Sequence, residues 1–182
     1  VPAIEMARAA GFTGDLWVVH PTYKTLAGQR VFASLDDLPK APDAAFLNIS
    51  KQHVFGVVDQ LAQRGAGGAV CFAAGFAELG EDGQRQQAEL AARAGVLALV
   101  GPNSTGLLNY FSGVALWPVA DHEAYRLRSG VAILSSSGGV LFNYSVNQRS
   151  LQAGIMIGVG NQAVLDYADY LHVLAHDYQV RA

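Results

Sequence analysis

Apolar positions along the chain fall into two alternating patterns. Short continuous apolar runs occur at LWVVH (16–20), AAFLNIS (44–50), GGAVCFAA (67–74), VLALV (96–100), GVAILSSS (130–137) and AGIMIGVG (153–160). Runs of this length predict buried strands. Between them lie stretches with helical spacing. The opening VPAIEMARAA stops at Gly11. QHVFGVVDQLAQRG (52–65) places Val54, Val57, Val58 and Leu61 on one face and stops at Gly65. GQRQQAELAARAG (83–95), VLFNYSVNQRS (140–150) and AVLDYADYLHVLAHD (163–177) complete the set, and SLDDLP (34–39) predicts a brief helical turn capped by Ser34. Strands alternating with helices predict βαβ units, an α/β class, and a doubly wound parallel sheet covered on both faces. One stretch, 107–129, breaks the rhythm and is the expected domain junction. The chain also opens inside a helix, where a doubly wound domain opens with a strand and a glycine turn. A first strand is therefore expected upstream, or something else fills its slot.

Composition narrows the function classes. The 182 residues are 51% apolar and 15% charged, enough apolar content for a sizeable core. A net charge of −3 and a pI near 5.9 argue against a nucleic-acid partner. No run of like charge points to a membrane surface, and no stretch approaches the ~18 apolar residues of a spanning helix. The single cysteine, Cys71, excludes an internal disulfide and fits a reducing compartment, so a cytoplasmic protein is expected. Cys71 reads as a small buried apolar residue, not a nucleophile. His172 and His176 are four apart on a helix, but a two-histidine spacing alone is a weak metal motif and reads as an ordinary helix face. His20 reads as a strand-end residue, and His53 and His122 have no motif around them. No metal site is expected.

The candidate chemistry sits where strands end. The segments HPTYK, NIS, AAGFAE, GPNSTG, SSSGG and GVGNQ each follow an apolar run. In open parallel sheets ligands bind at the carboxyl ends of strands. Small residues there let backbone approach a ligand and offer amides to phosphate. One such loop is an ordinary tight turn; six in register point to a ligand edge. GVGNQA also meets the loose G-x-G-x-x-G/A pattern, but no acidic residue follows ~20 positions on to hold a ribose, so an NAD(P)-binding oxidoreductase domain is a remote alternative. SSSGG does not meet G-x-S-x-G, which makes a hydrolase remoter still.

Five segments follow one another in a shared order: VVHPTYKTLAGQRVFASLDDLP, AAGFAELGEDG, GPNSTGLLN, GVAILSSSGG and GVGNQAVLDYADYL. In that order and spacing the chain resembles the NDP-forming acyl-CoA synthetases, a group similar to the α-subunit of succinyl-CoA synthetase. The resemblance implies a Rossmann-like CoA-binding domain at 1–118, lacking its first strand, and the start of a flavodoxin-like ligase domain at 127–182. It implies a reaction joining a carboxylic acid to CoA through an acyl phosphate and a phosphohistidine. ATP or ADP and Mg2+ would be handled by an ATP-grasp domain or subunit, and an oligomer is expected. It implies that Pro21 and Lys24 lie near the CoA phosphates, that Ile49 and Ser50 wall the nucleotide, and that Gly75 and Glu78 contact the pantetheine arm. Asn103 and Ser104 would lie near the reactive end of CoA. Ser137 and Gly138 would open a helix facing the active-site phosphate, with Gly160 and Asn161 at the neighbouring strand end. The chain departs from the family in its missing glycine loop, in a missing proline near NIS, in Ser104 where many relatives carry cysteine, and in having no histidine in the phosphohistidine motif. A catalytic residue is therefore expected outside this segment, which would be inactive alone. The alternative is a CoA-binding module without catalysis.

Overall fold

A computed structural model of the chain describes residues 1–119, 126–146 and 151–181. His122 and the last four residues of the helix expected at 140–150 lie outside the described residues. Helix α1 (Pro2–Ala9) starts with a proline in its first turn, where no backbone donor is lost, and gives way to Gly11. Strand β1 (Val18–Val19) pairs in parallel with β3 (Gln29–Phe32), and β2 (Thr25–Leu26) pairs antiparallel with β3. The β2–β3 hairpin was not expected. Its two-residue loop, Ala27–Gly28, has positive φ at both positions (47° and 70°), which matches the right-handed twist of the flanking strands. The short turn at 34–39 is present: Ser34 and Asp37 form a reciprocal capping box around a single 3-10 turn.

The next segment is the expected βαβ pattern. Strands β4 (Ala44–Leu47), β5 (Gly68–Cys71) and β6 (Ala98–Val100) form a parallel sheet in that order, joined by α2 (Lys51–Gln63) and α3 (Glu81–Ala94). Val54, Val58 and Leu61 of α2 and Leu90 and Ala94 of α3 pack with Leu47, Ala69, Cys71 and Leu99 of the sheet in one core. Each such large aliphatic side chain, fully buried, contributes about 1.5–3 kcal/mol. Among the described residues, β1 and β4 each keep one edge that pairs with no strand.

The stretch read as irregular is a second unexpected hairpin, β7 (Gly106–Asn109) and β8 (Val114–Leu116). The Asn109 side chain accepts from the amides of Phe111 and Ser112 and sets its turn. β9 (Val131–Ser135), α4 (Gly138–Ser145), β10 (Ala153–Gly158) and α5 (Tyr167–Ala175) follow. The sheet order is β8-β7-β10-β9, with β10 parallel to β9 and antiparallel to β7. α5 starts four residues later than expected, because Asp166 caps it and forms a capping box with Asp169. α1 packs beside β8, and Met6 and Ala10 share a core with Tyr110, Trp117, Leu141 and Met156.

Candidate functional site

Four strands deliver their carboxyl ends to one cleft of about 710 Å3. Asn48, Ile49, Ser50 and Lys51 follow β4; Phe72, Ala73 and Ala74 follow β5; Asn103, Ser104 and Thr105 follow β6; Ser136 and Gly138 follow β9. The lining is mostly small or neutral-polar, so backbone amides can come close to an occupant.

The turn after β6 is built by close packing against β10. Ser104 is 1% exposed; its hydroxyl donates to the Gly158 carbonyl and accepts from the Gly106 amide. A side chain at Gly158 would meet the Thr105 amide at 2.9 Å, and one at Gly160 would meet the Pro102 carbonyl at 2.2 Å. The Asn161 and Ala163 amides donate back to the Pro102 and Gly101 carbonyls. GPNSTG is therefore short and uncharged because a neighbouring strand end lies against it as well as a cleft.

A polar network fixes the loop after β5. Gly75 sits at φ +101°, in the region that favours glycine. Its amide donates to Glu78 Oε1, and its carbonyl accepts from Lys51 Nζ. Glu78 Oε2 accepts from Asn161 Nδ2, which also donates to Gln87 Oε1. Asn103 Nδ2 reaches Asn161 Oδ1 at 3.4 Å. Burial pushes the Glu78 carboxyl up, but the bonds from the Gly75 amide and Asn161 outweigh it and hold the group below the usual glutamate range.

The expected residues thus divide. Ile49, Ser50, Asn103, Ser104 and Gly138 border the cleft. Gly75, Glu78 and Asn161 are joined by hydrogen bonds, Gly160 packs against Pro102, and none of the four borders the cleft itself. Pro21 and Lys24 are exposed in the loop after β1 and do not border it. Ser137 caps α4, accepting from the Val140 amide, and a side chain at Gly138 would meet Thr105 Oγ1 at 2.7 Å. Cys71 ends β5 with no exposure, and burial pushes its thiol up to about 11. The His176 Nδ1 lies 2.7 Å from the His172 carbonyl, and none of His20, His53, His172 and His176 borders the cleft. Sequence reasoning missed Lys51, Gln87 and Thr105. Lys51 carried a usable signal, since a lysine opening a helix faces the positive end of the helix dipole.

Comparison with known proteins agrees with this layout. Residues 3–110 match the CoA binding domain family. The chain is 36% identical over 172 residues to trans-feruloyl-CoA synthase FCS1 from an unknown prokaryotic organism, covering 91% of this chain and 24% of that protein. It is 31% identical to the ADP-forming acetate–CoA ligase I of Archaeoglobus fulgidus, covering 94% and 25%. The apo structure of acetyl-coenzyme A synthetase 1 from Ca. Korarchaeum cryptofilum superposes with a TM-score of 0.85 at 26% identity, over 97% of this chain and 39% of that one; that enzyme is also solved with phosphate and ADP. The chain spans about a quarter of the length of these two curated relatives. No helix among the described residues is long and apolar enough to cross a membrane. With a strand-end cleft of small residues and a family match over more than half its length, the chain belongs to the CoA binding domain family, as a segment homologous to the NDP-forming acyl-CoA synthetases.

Proposed function

We propose that the cleft holds coenzyme A, and that the protein at its natural full length joins a carboxylic acid to CoA with hydrolysis of a nucleoside triphosphate. The convergence of four strand ends on one cleft, in a chain matching a CoA binding domain, carries this reading. Ser50 and Ile49 wall the ligand, Asn103 and Ser104 lie near its reactive end with Thr105 beside them, and the Gly75–Glu78 loop contacts the pantetheine arm where it leaves the cleft. Pro21 and Lys24 reach only a phosphate that extends beyond the cleft. The amides opening α4 near Ser137 and Gly138 stabilise a phosphate, and Gly160 and Asn161 hold the opposing turn. The catalytic phosphohistidine, the ATP or ADP site and its Mg2+ belong to an ATP-grasp partner or other parts of the enzyme. An oligomer in the cytoplasm fits this reading. Residues 1–118 make the CoA-binding unit and 127–182 open a flavodoxin-like unit, the two joined through the β7–β10 pairing.

Titration calorimetry with CoA and with NAD tests the reading. CoA is expected to bind and NAD to bind far more weakly. A preference for NAD would overturn it. The 182-residue chain alone is expected to make no acyl-CoA from carboxylate, CoA and ATP, and turnover by the pure chain would refute the placement of the catalytic histidine elsewhere.

A further inference from the structure

Among the described residues lining the cleft, Lys51 alone carries a charge. It also borders a second cleft, of about 720 Å3, between α2 and α3. There the charges are already matched: Arg93 pairs with Glu89 at 2.7 Å and with Asp59 at 2.6 Å. Lys51 has no such partner. No carboxylate pairs with it among the described residues; its ammonium donates to the neutral Gly75 carbonyl and lies 4.8 Å from the centre of the Phe76 ring.

Its position in the helix makes this costly. Lys51 is the first residue of α2, where the unpaired amides already present partial positive charge. The first turn contains no acidic residue, and the Ser50 side chain makes no capping hydrogen bond. A lysine, a set of free helix amides and an uncommitted hydroxyl therefore meet at the mouth of a cleft with no counter-charge. A neutral carbonyl is an exchangeable partner for such an ammonium: that bond is ionised on the donor side only, whereas a phosphate oxygen adds a full opposite charge at the same distance.

We propose that Lys51 is a specificity-determining residue that binds a phosphate group of coenzyme A, exchanging the Gly75 carbonyl for phosphate oxygens as the ligand enters. The proposal rests on the reading of the cleft as the CoA site. The loop after β5 need not collapse on release, since Glu78 holds the Gly75 amide independently.

The test is calorimetry on the protein at its natural full length, comparing wild type, Lys51→Met and Lys51→Arg. The ligands are CoA, pantetheine, which lacks the phosphates, and inorganic phosphate. Lys51→Met is expected to weaken CoA binding by about 10- to 100-fold, the range of a lost hydrogen bond to a charged group. Pantetheine binding should change less than twofold, and Lys51→Arg should restore most of the CoA affinity. The dependence of CoA binding on salt should also become shallower in Lys51→Met. Equal losses for CoA and pantetheine would overturn the proposal, because Lys51 would then act through the loop it tethers. Loss of inorganic phosphate binding with CoA affinity intact would overturn it too, assigning the charge to a free phosphate. Unchanged CoA binding in Lys51→Met refutes Lys51 but leaves the CoA reading standing, whereas wild type that fails to bind CoA refutes the reading itself.

Discussion

Gly138 shows how a site glycine can have a packing origin. A methyl group there would press on Thr105 Oγ1 at 2.7 Å and Cγ2 at 3.1 Å, while the Thr105 Cβ lies at an ordinary 3.5 Å. Gly138→Ala is therefore expected to destabilise the fold by about 1–3 kcal/mol through overpacking. Thr105→Ala in the same chain should recover most of that loss. Urea unfolding of the two single variants and the double variant checks it, and purely additive losses would return Gly138 to a ligand-only explanation. Glu78 offers a second case. Its carboxyl titrates below the usual glutamate range in the folded chain. Its contribution to stability is then complete above the unfolded-state pKa and is lost as pH falls through the lower folded value. Glu78→Gln should leave the melting temperature less sensitive to acid across that interval. Because the group is exposed, the difference is expected to be modest. An identical acid profile in the two proteins would show that the Gly75 and Asn161 bonds do not hold in solution.

At the scale of elements, the β2–β3 hairpin carries an identifiable cost. Ala27 adopts φ +47°, a conformation that penalises a Cβ by roughly 1–2 kcal/mol. Ala27→Gly should raise stability by about 1 kcal/mol or less, part of the gain being returned as extra freedom in the unfolded chain. Thermal unfolding would detect the rise, and a drop would mean that the turn type differs. The same hairpin explains what the sequence concealed. Ala-Gly is not among the usual dipeptides of a two-residue turn, and β2 is only two residues long, so no alternation could reveal it. β7 and β8 were hidden differently: an Asn side-chain turn links two strands of only four and three residues, so the stretch read as an irregular junction. By contrast β4, β5, β6, β10 and the helices α2 and α3 were legible, because short apolar runs alternating with helical stretches that end at Gly65 and Gly95 leave little ambiguity. The cleft was legible through its loops, but not through its charge. Loops at strand ends can be counted in sequence, whereas the isolation of Lys51 depends on which carboxylates the fold leaves out of reach.

At the scale of the molecule, one apolar cluster among the described residues bridges the two proposed units. Val70 and Val100, from β5 and β6, share a cluster with Ile155, Ile157 and Val159 of β10 and its end, and with Tyr170 and Leu174 of α5. The β10–β7 pairing adds backbone bonds across the same seam. The two proposed units are therefore expected to unfold together, as one calorimetric transition whose van't Hoff and calorimetric enthalpies agree. Two resolved transitions would show that the shared core does not couple them.

The burial of Cys71 has a practical consequence. It is the only cysteine of the chain, fully enclosed, and carries a thiol too basic to ionise near neutral pH. A cysteine placed at the 99%-exposed Val96, in the turn after α3, would then be the sole accessible thiol of this 182-residue chain. These 182 residues thus accept a single thiol-directed fluorophore or spin label at a chosen point with Cys71 left in place.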